Sequence, residues 1–300
     1  MLRLIRSDWY RATRIRGLRG GFWQYALVLA GIAVLEIGLM RFGLGGGFGS
    51  AANIINMAED MGVLLSPSEY LGTCLFGSYS PLALATSFGI IEHVFVDLTD
   101  GFGKTMVSST RGRLAYFAEK VLFAGTWSAA FTLLFGALSL GGFVLFVMIP
   151  FGLTFSVLDS IGGFMLWNLL AWLASWVASV VPLAVALLTR SKLIVYGLII
   201  GVLLGWIPVV MQVLGMLPGP ALPAWLQFLN PLGDALIALS SWMPSTVLHT
   251  LTNGAGDLFA AAGMPGTGAL PTWAWMLGTC LIWLVLAGGV WIAVSRKRGV

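Results

Sequence analysis

Residues 161–189 read IGGFMLWNLLAWLASWVASVVPLAVALLT, a run without a single charged side chain. About 20 apolar residues in a helix cross the hydrocarbon core of a bilayer, and this run exceeds that length. It ends at Arg190 and Lys192, after which a second apolar run covers 193–217. Four more runs, at 22–41, 80–98, 116–148 and 272–295, bring the expected crossings to six. Runs 116–148 and 161–189 are long enough to tilt or to project beyond the bilayer. Composition leads to the same class. Only 9% of the residues are charged, against roughly 25% in a soluble domain, so lipid must solvate most of this surface.

The basic residues test the count and set the direction. Arg3, Arg6, Arg11, Arg14, Arg16 and Arg19 precede the first run, and Lys104, Arg111, Arg113 and Lys120 lie between or beside the second and third. Arg190 and Lys192 join the fourth and fifth, and Arg296, Lys297 and Arg298 follow the sixth. With six crossings, fifteen of the sixteen Lys and Arg residues fall on one side, and only Arg41 falls on the other. Cytoplasmic segments carry that excess, so both termini are expected inside. The outer segments are then 42–79, 149–160 and 218–271. The last has no Lys or Arg and is rich in Pro, Gly and Trp. Such a segment is expected to fold back onto the outer face as short re-entrant helices held in protein.

The opening MLRLIRSDWYRATRIRGLRG sets Leu2, Ile5, Trp9 and Ala12 at helical spacing, with arginines on the other faces. That pattern describes a basic amphipathic helix in the inner interface, in contact with lipid and not with nucleic acid. No small-residue cleavage site follows, so the segment does not read as a removable signal. The expected fold is therefore all-α and integral to the membrane: one domain over 1–300, with an interfacial elbow over 1–20, six crossings, and a large outer segment between the fifth and sixth.

The chain offers little that resembles a catalytic or metal centre. Its two histidines, His93 and His249, belong to no HExxH pattern, and Cys74 and Cys280 are too isolated for a metal set or a disulfide framework. Gly103-Lys104-Thr105 ends like a phosphate-binding loop, but Leu98 stands where the first glycine is needed. No catalytic residue, metal or cofactor is assigned. Charged residues inside spans are costly and are functional candidates by default. Glu36, Glu92 and His93 are therefore the substrate-path candidates. Glu36 and Glu92 differ in depth by roughly 10 Å at the helical rise and should not pair. His93 and Asp97, four apart, share a helix face, and Asp97 is expected to be interfacial and solvated. Gly197, Gly201 and Gly205 form a four-residue glycine strip on which another helix can pack closely, within the chain or in a dimer.

The inner loop after the second run reads DGFGKTMVSSTRGRLAYFAEK over 100–120. By composition it is a positively charged cytoplasmic loop. It also resembles the signature region of ABC-2-type transporter permeases, especially the small subunits of bacterial exporters. With Gly101 at the glycine of that pattern, Lys104 falls on its lysine, Ser108 on its serine and Arg113 on its arginine. Phe117 falls on its aromatic and Lys120 on its final lysine. Phe102 and Gly103 replace the usual Thr-Ile, Thr105 replaces Asn, and Arg111-Gly112 depart from the usual residues before the arginine. The basic elbow before the first crossing is similar to the start of such permeases.

The resemblance implies a permease subunit without enzymatic activity of its own, in a bacterial plasma membrane. A separate cytosolic ABC ATPase would bind ATP and dock on a coupling loop over 99–115, through Gly101, Lys104, Ser108, Arg111 and Arg113 within it and Phe117 and Lys120 just after it. A second permease subunit, identical or related, would complete the transporter. The cargo would be hydrophobic or amphipathic: an antimicrobial peptide, a drug or a lipid. One alternative is a secondary transporter driven by protons through Glu36, Glu92 and His93; another is a membrane-embedded enzyme or an assembly factor, with the missing catalytic cluster weighing against the enzyme.

Overall fold

A helix that is apolar on every side belongs in the middle of a bundle, and the run that opens the sequence reading is found there. A computed structural model describes residues 2–14, 21–42, 66–77, 80–99, 112–155, 157–216 and 230–297. Its helices are α1 (Leu2–Thr13), α2 (Phe22–Phe42), α3 (Pro67–Phe76), α4 (Pro81–Thr99), α5 (Gly112–Phe143) and α6 (Ile161–Thr189). They continue with α7 (Lys192–Leu203), α8 (Trp206–Met216), α9 (Asn230–Ser241), α10 (Pro244–Thr250) and α11 (Thr272–Lys297). Helix α6 packs against α4, α5, α7, α10 and α11. Trp167, Leu170, Ala171, Val177 and Leu183 are buried along it.

Several polar groups within this core are satisfied internally, as a lipid solvent favours. Ser175 and Ser179 donate to the carbonyls of Ala171 and Ser175 at 2.9 and 3.0 Å. Pro182 lies inside α6 and brings no N–H to the carbonyl four residues back. That carbonyl belongs to Ala178, and the Ser87 hydroxyl of α4 donates to it at 2.8 Å. The helix therefore continues through its proline because a neighbouring helix supplies the missing donor.

Tryptophans act as cross-braces. Trp172 and Trp176 of α6 stack at 5.6 Å and donate to the Gly125 and Val121 carbonyls of α5 at 2.8 and 2.9 Å. A Cβ on Gly125 would lie 2.7 Å from the Trp176 ring, so only glycine permits that approach. Trp167 donates to the Leu251 carbonyl at 3.0 Å and Trp283 to the Trp242 carbonyl at 2.7 Å. The sequence leaves the tryptophans unsorted between membrane belt and packing; these four are packing residues.

Among the described residues the structure is all-helical, apart from an isolated bridge between Ala261 and Pro271. Four helical stretches are long and apolar enough to cross a membrane, or six if each of two bent pairs counts as one span. The fifth expected crossing, 193–217, is not a continuous helix. It divides into α7 and α8, inclined at 64°. Gly205 sits in the break at φ +74°, a conformation that suits glycine. Pro208 brings no N–H to the Leu204 carbonyl, which favours a break at this point. The second crossing is likewise preceded by α3, inclined at 47° to α4.

The described part of the expected outer segment folds back onto the bundle. It forms α9, α10 and the short turns Leu251–Asn253 and Gly256–Phe259. Val247, Leu248, Leu251 and Leu258 bury their side chains there. Ser68 ties three segments together. Its N–H and hydroxyl donate to Asp159 at 2.8 Å each, and its oxygen accepts from the Ala255 N–H at 2.7 Å. The free cysteines, Cys74 and Cys280, are both buried.

Candidate functional site

The apolar face of α1 carries a charge. Ile5, Trp9 and Ala12 pack into the core as their spacing predicts, and Asp8 lies among them, 3% exposed. Trp9 is fixed by ring contacts at 5.7 to 5.9 Å with Phe22, Phe123 and Trp127. Its indole N–H donates to Thr126 at 3.1 Å. This docking directs Asp8 at the meeting point of α4 and α5.

Six ionisable side chains from three helices gather at that point. Lys120 of α5 pairs with Asp8 and stands 2.8 Å from Asp97 and 3.8 Å from Glu119. Arg11 of α1 pairs with Asp97 of α4 and lies 3.4 Å from Asp8. His93 Nε2 is 3.7 Å from the Asp8 carboxylate, beyond hydrogen-bond range but close enough for charge attraction. Asp8, His93, Asp97, Glu119 and Lys120 are all buried. Burial alone pushes the Asp8 carboxyl up, but His93 and Lys120 beside it outweigh that and hold it well below its ordinary value. Ligand atoms of Asp8, His93 and Asp97 lie within 4.8 Å of one another, a spacing compatible with a metal ion. The Lys120 ammonium, bonded to both aspartates, supplies their counter-charge.

Two sequence expectations change here. Asp97 is not solvated: it is fully buried and paired with Lys120 and Arg11. Lys120, expected on the coupling surface, is 1% exposed and points into the cluster, so it offers nothing to a cytosolic partner. Gly101, Lys104, Ser108 and Arg111 lie outside the described residues. Arg113 and Phe117 fall in the first turns of α5, where side chains are not described.

The three substrate-path candidates lie in three different surroundings. Glu92 turns away from its neighbour His93 and accepts from the Tyr196 hydroxyl of α7 at 3.5 Å, with Tyr25 of α2 beside it. His93 faces Asp8. Glu36 of α2 lies beside the Cys74 thiol of α3. None of the described contacts links one candidate to another.

Glu36 borders a cleft of about 1460 Å³. Its other walls come from α3, from Gly77, Ser80 and Pro81 between α3 and α4, from Leu204 and Gly205, from α8, and from the folded-back segment carrying His249 and Asp257. Gly197 and Gly201 lie on a face of α7 where an added Cβ would meet nothing within 4 Å. Gly205 is in the break and leaves that strip.

Comparison with protein-family models, curated proteins and solved structures gives no significant match.

Sequence reasoning missed Asp8. The available signal was its position: three residues after Ile5 and four before Ala12, it lies on the apolar face of an otherwise basic helix.

Proposed function

We propose that this chain is the membrane-spanning permease subunit of an ATP-driven ABC exporter. It crosses a bacterial plasma membrane six times with both termini inside. Each bent pair, α3–α4 and α7–α8, serves as one crossing. A cytosolic ATPase docks on the connection between α4 and α5, and a second permease subunit packs on the open Gly197–Gly201 face of α7.

The observation that carries this reading is the charge cluster. It joins α1, α4 and α5 at the two helix ends that flank residues 100–111. A push on that connection is delivered to helices already fastened to each other and to the interfacial helix, so they move as one body. The Trp172 and Trp176 braces carry the movement from α5 into α6. The walls of the cleft, with helix breaks on two sides, are where relative movement changes access. The permease hydrolyses nothing itself; its part is mechanical.

The test is co-purification from native membranes, with the partners identified and Arg113→Glu compared with the wild type. The expected result is a cytosolic ATPase whose association is lost in the variant. Unchanged ATPase association together with unchanged transport contradicts the coupling role.

A further inference from the structure

We infer that the cleft beside Glu36 binds a lipophilic organic cation, with the carboxylates of Glu36 and Asp257 holding its charge. The inference rests on the permease reading and names its substrate class. At about 1460 Å³, the cleft is larger than the roughly 300–1,000 Å³ typical of small-molecule sites. It therefore accepts a bulky body. Ile32, Phe76, Leu203, Pro208, Val209 and Met264 make much of its wall apolar. Irregular backbone is tolerated at membrane depth where it lines a cavity, and two helix breaks meet at this one.

The charge of the ligand follows from the polar lining. Glu36 and Asp257 both contribute to the wall, as does His249, and among the described residues no Lys or Arg does. One Glu36 oxygen, Oε2, is buried and has no hydrogen-bond partner among the described residues. The nearest arginine in sequence, Arg41, is turned elsewhere and donates to the Phe146 carbonyl at 3.0 Å. A cleft with low-dielectric walls and one sign of charge concentrates ions of the other sign. An apolar body carrying a positive charge satisfies walls and carboxylates together; a neutral lipid leaves the buried Glu36 oxygen unpaired.

The test uses two probes of the same shape and opposite charge, tetraphenylphosphonium and tetraphenylborate. Each is titrated against the full chain in nanodiscs, with empty nanodiscs as the baseline. Saturable binding of the phosphonium and none of the borate is expected. Glu36→Gln and Asp257→Asn should each raise the phosphonium Kd by about tenfold, equivalent to about 1.4 kcal/mol. Asp234→Asn, the same charge change on exposed α9 outside the lining, should leave it unaltered. Asp257 is on the exposed rim, so its variant carries the test should Glu36→Gln fail to fold. Equal binding of both probes, no saturable binding above empty discs, or an unchanged Kd in Glu36→Gln/Asp257→Asn overturns the assignment. The titration needs no ATPase. Failure of ATPase co-purification therefore removes the exporter reading while leaving this result intact, and charge-blind binding does the reverse.

Discussion

The Asp8 carboxylate of α1 is paired with the Lys120 ammonium of α5, 112 residues further along the chain. Both side chains are buried, and Lys120 also holds Asp97 of α4 at 2.8 Å. One ammonium thus joins α1 to the two helices that flank residues 100–111.

Removing one partner of a buried ion pair leaves a charge with neither water nor counter-charge, at a cost of about 3–5 kcal/mol. Lys120→Met should therefore destabilise the chain by about that amount, measured by unfolding in detergent. Asp8→Asn in the same chain should recover part of the loss, because the two effects are not additive across a direct contact. Additive losses would show that the pair does not couple α1 to α5.

The pairing has a defined pH signature. The folded-state pKa of Asp8 lies below its ordinary value of 3.8. A group depressed in this way contributes stability that is fully present above the unfolded value and is lost as pH falls through the folded value. The melting-temperature difference between wild type and Asp8→Asn should therefore be present above about pH 4 and shrink in stronger acid. A difference that disappears near neutrality contradicts this assignment.

Two glycines are required by close packing. A Cβ at Gly125 would press into the Trp176 ring, and overpacking of this kind costs about 1–3 kcal/mol. A Cβ at Gly72 would meet the Leu251 carbonyl and lie 2.9 Å from the Thr252 Cα. Backbone cannot rotate away as a ring can, so Gly72→Ala should lower the melting temperature more than Gly125→Ala does.

Ser87 and Pro182 form a third testable pair. Ser87→Ala leaves the Ala178 carbonyl without its outside donor, an unsatisfied buried group costing about 1–3 kcal/mol. Pro182→Ala restores the backbone N–H that would otherwise bond that carbonyl. In the Pro182→Ala background, Ser87→Ala should therefore cost measurably less.

Much of the fold is legible in the sequence because lipid imposes simple rules. Long apolar runs mark the long helices, and the spacing of Ile5, Trp9 and Ala12 marks the docked face of α1. The helix breaks are harder to read, since α7 and α8 form one continuous apolar run. Only Gly205 and Pro208 mark the change of direction, and both residues are also tolerated inside membrane helices. The charge cluster is hardest. Asp8, Asp97 and Lys120 each have an ordinary explanation at a membrane surface, and only their convergence from three helices makes them a buried network. Glu36 stands out in the sequence as a charge within an apolar run, but its cleft is built from chain segments too far apart in sequence to be linked by any local pattern.

The exporter account depends most on where the α4–α5 connection faces. Ser108→Cys can be labelled with a membrane-impermeant maleimide in intact cells and in inverted vesicles. Labelling in inverted vesicles alone is the predicted result. Labelling in intact cells and not in inverted vesicles contradicts the account, because a loop on that side cannot meet a cytosolic ATPase.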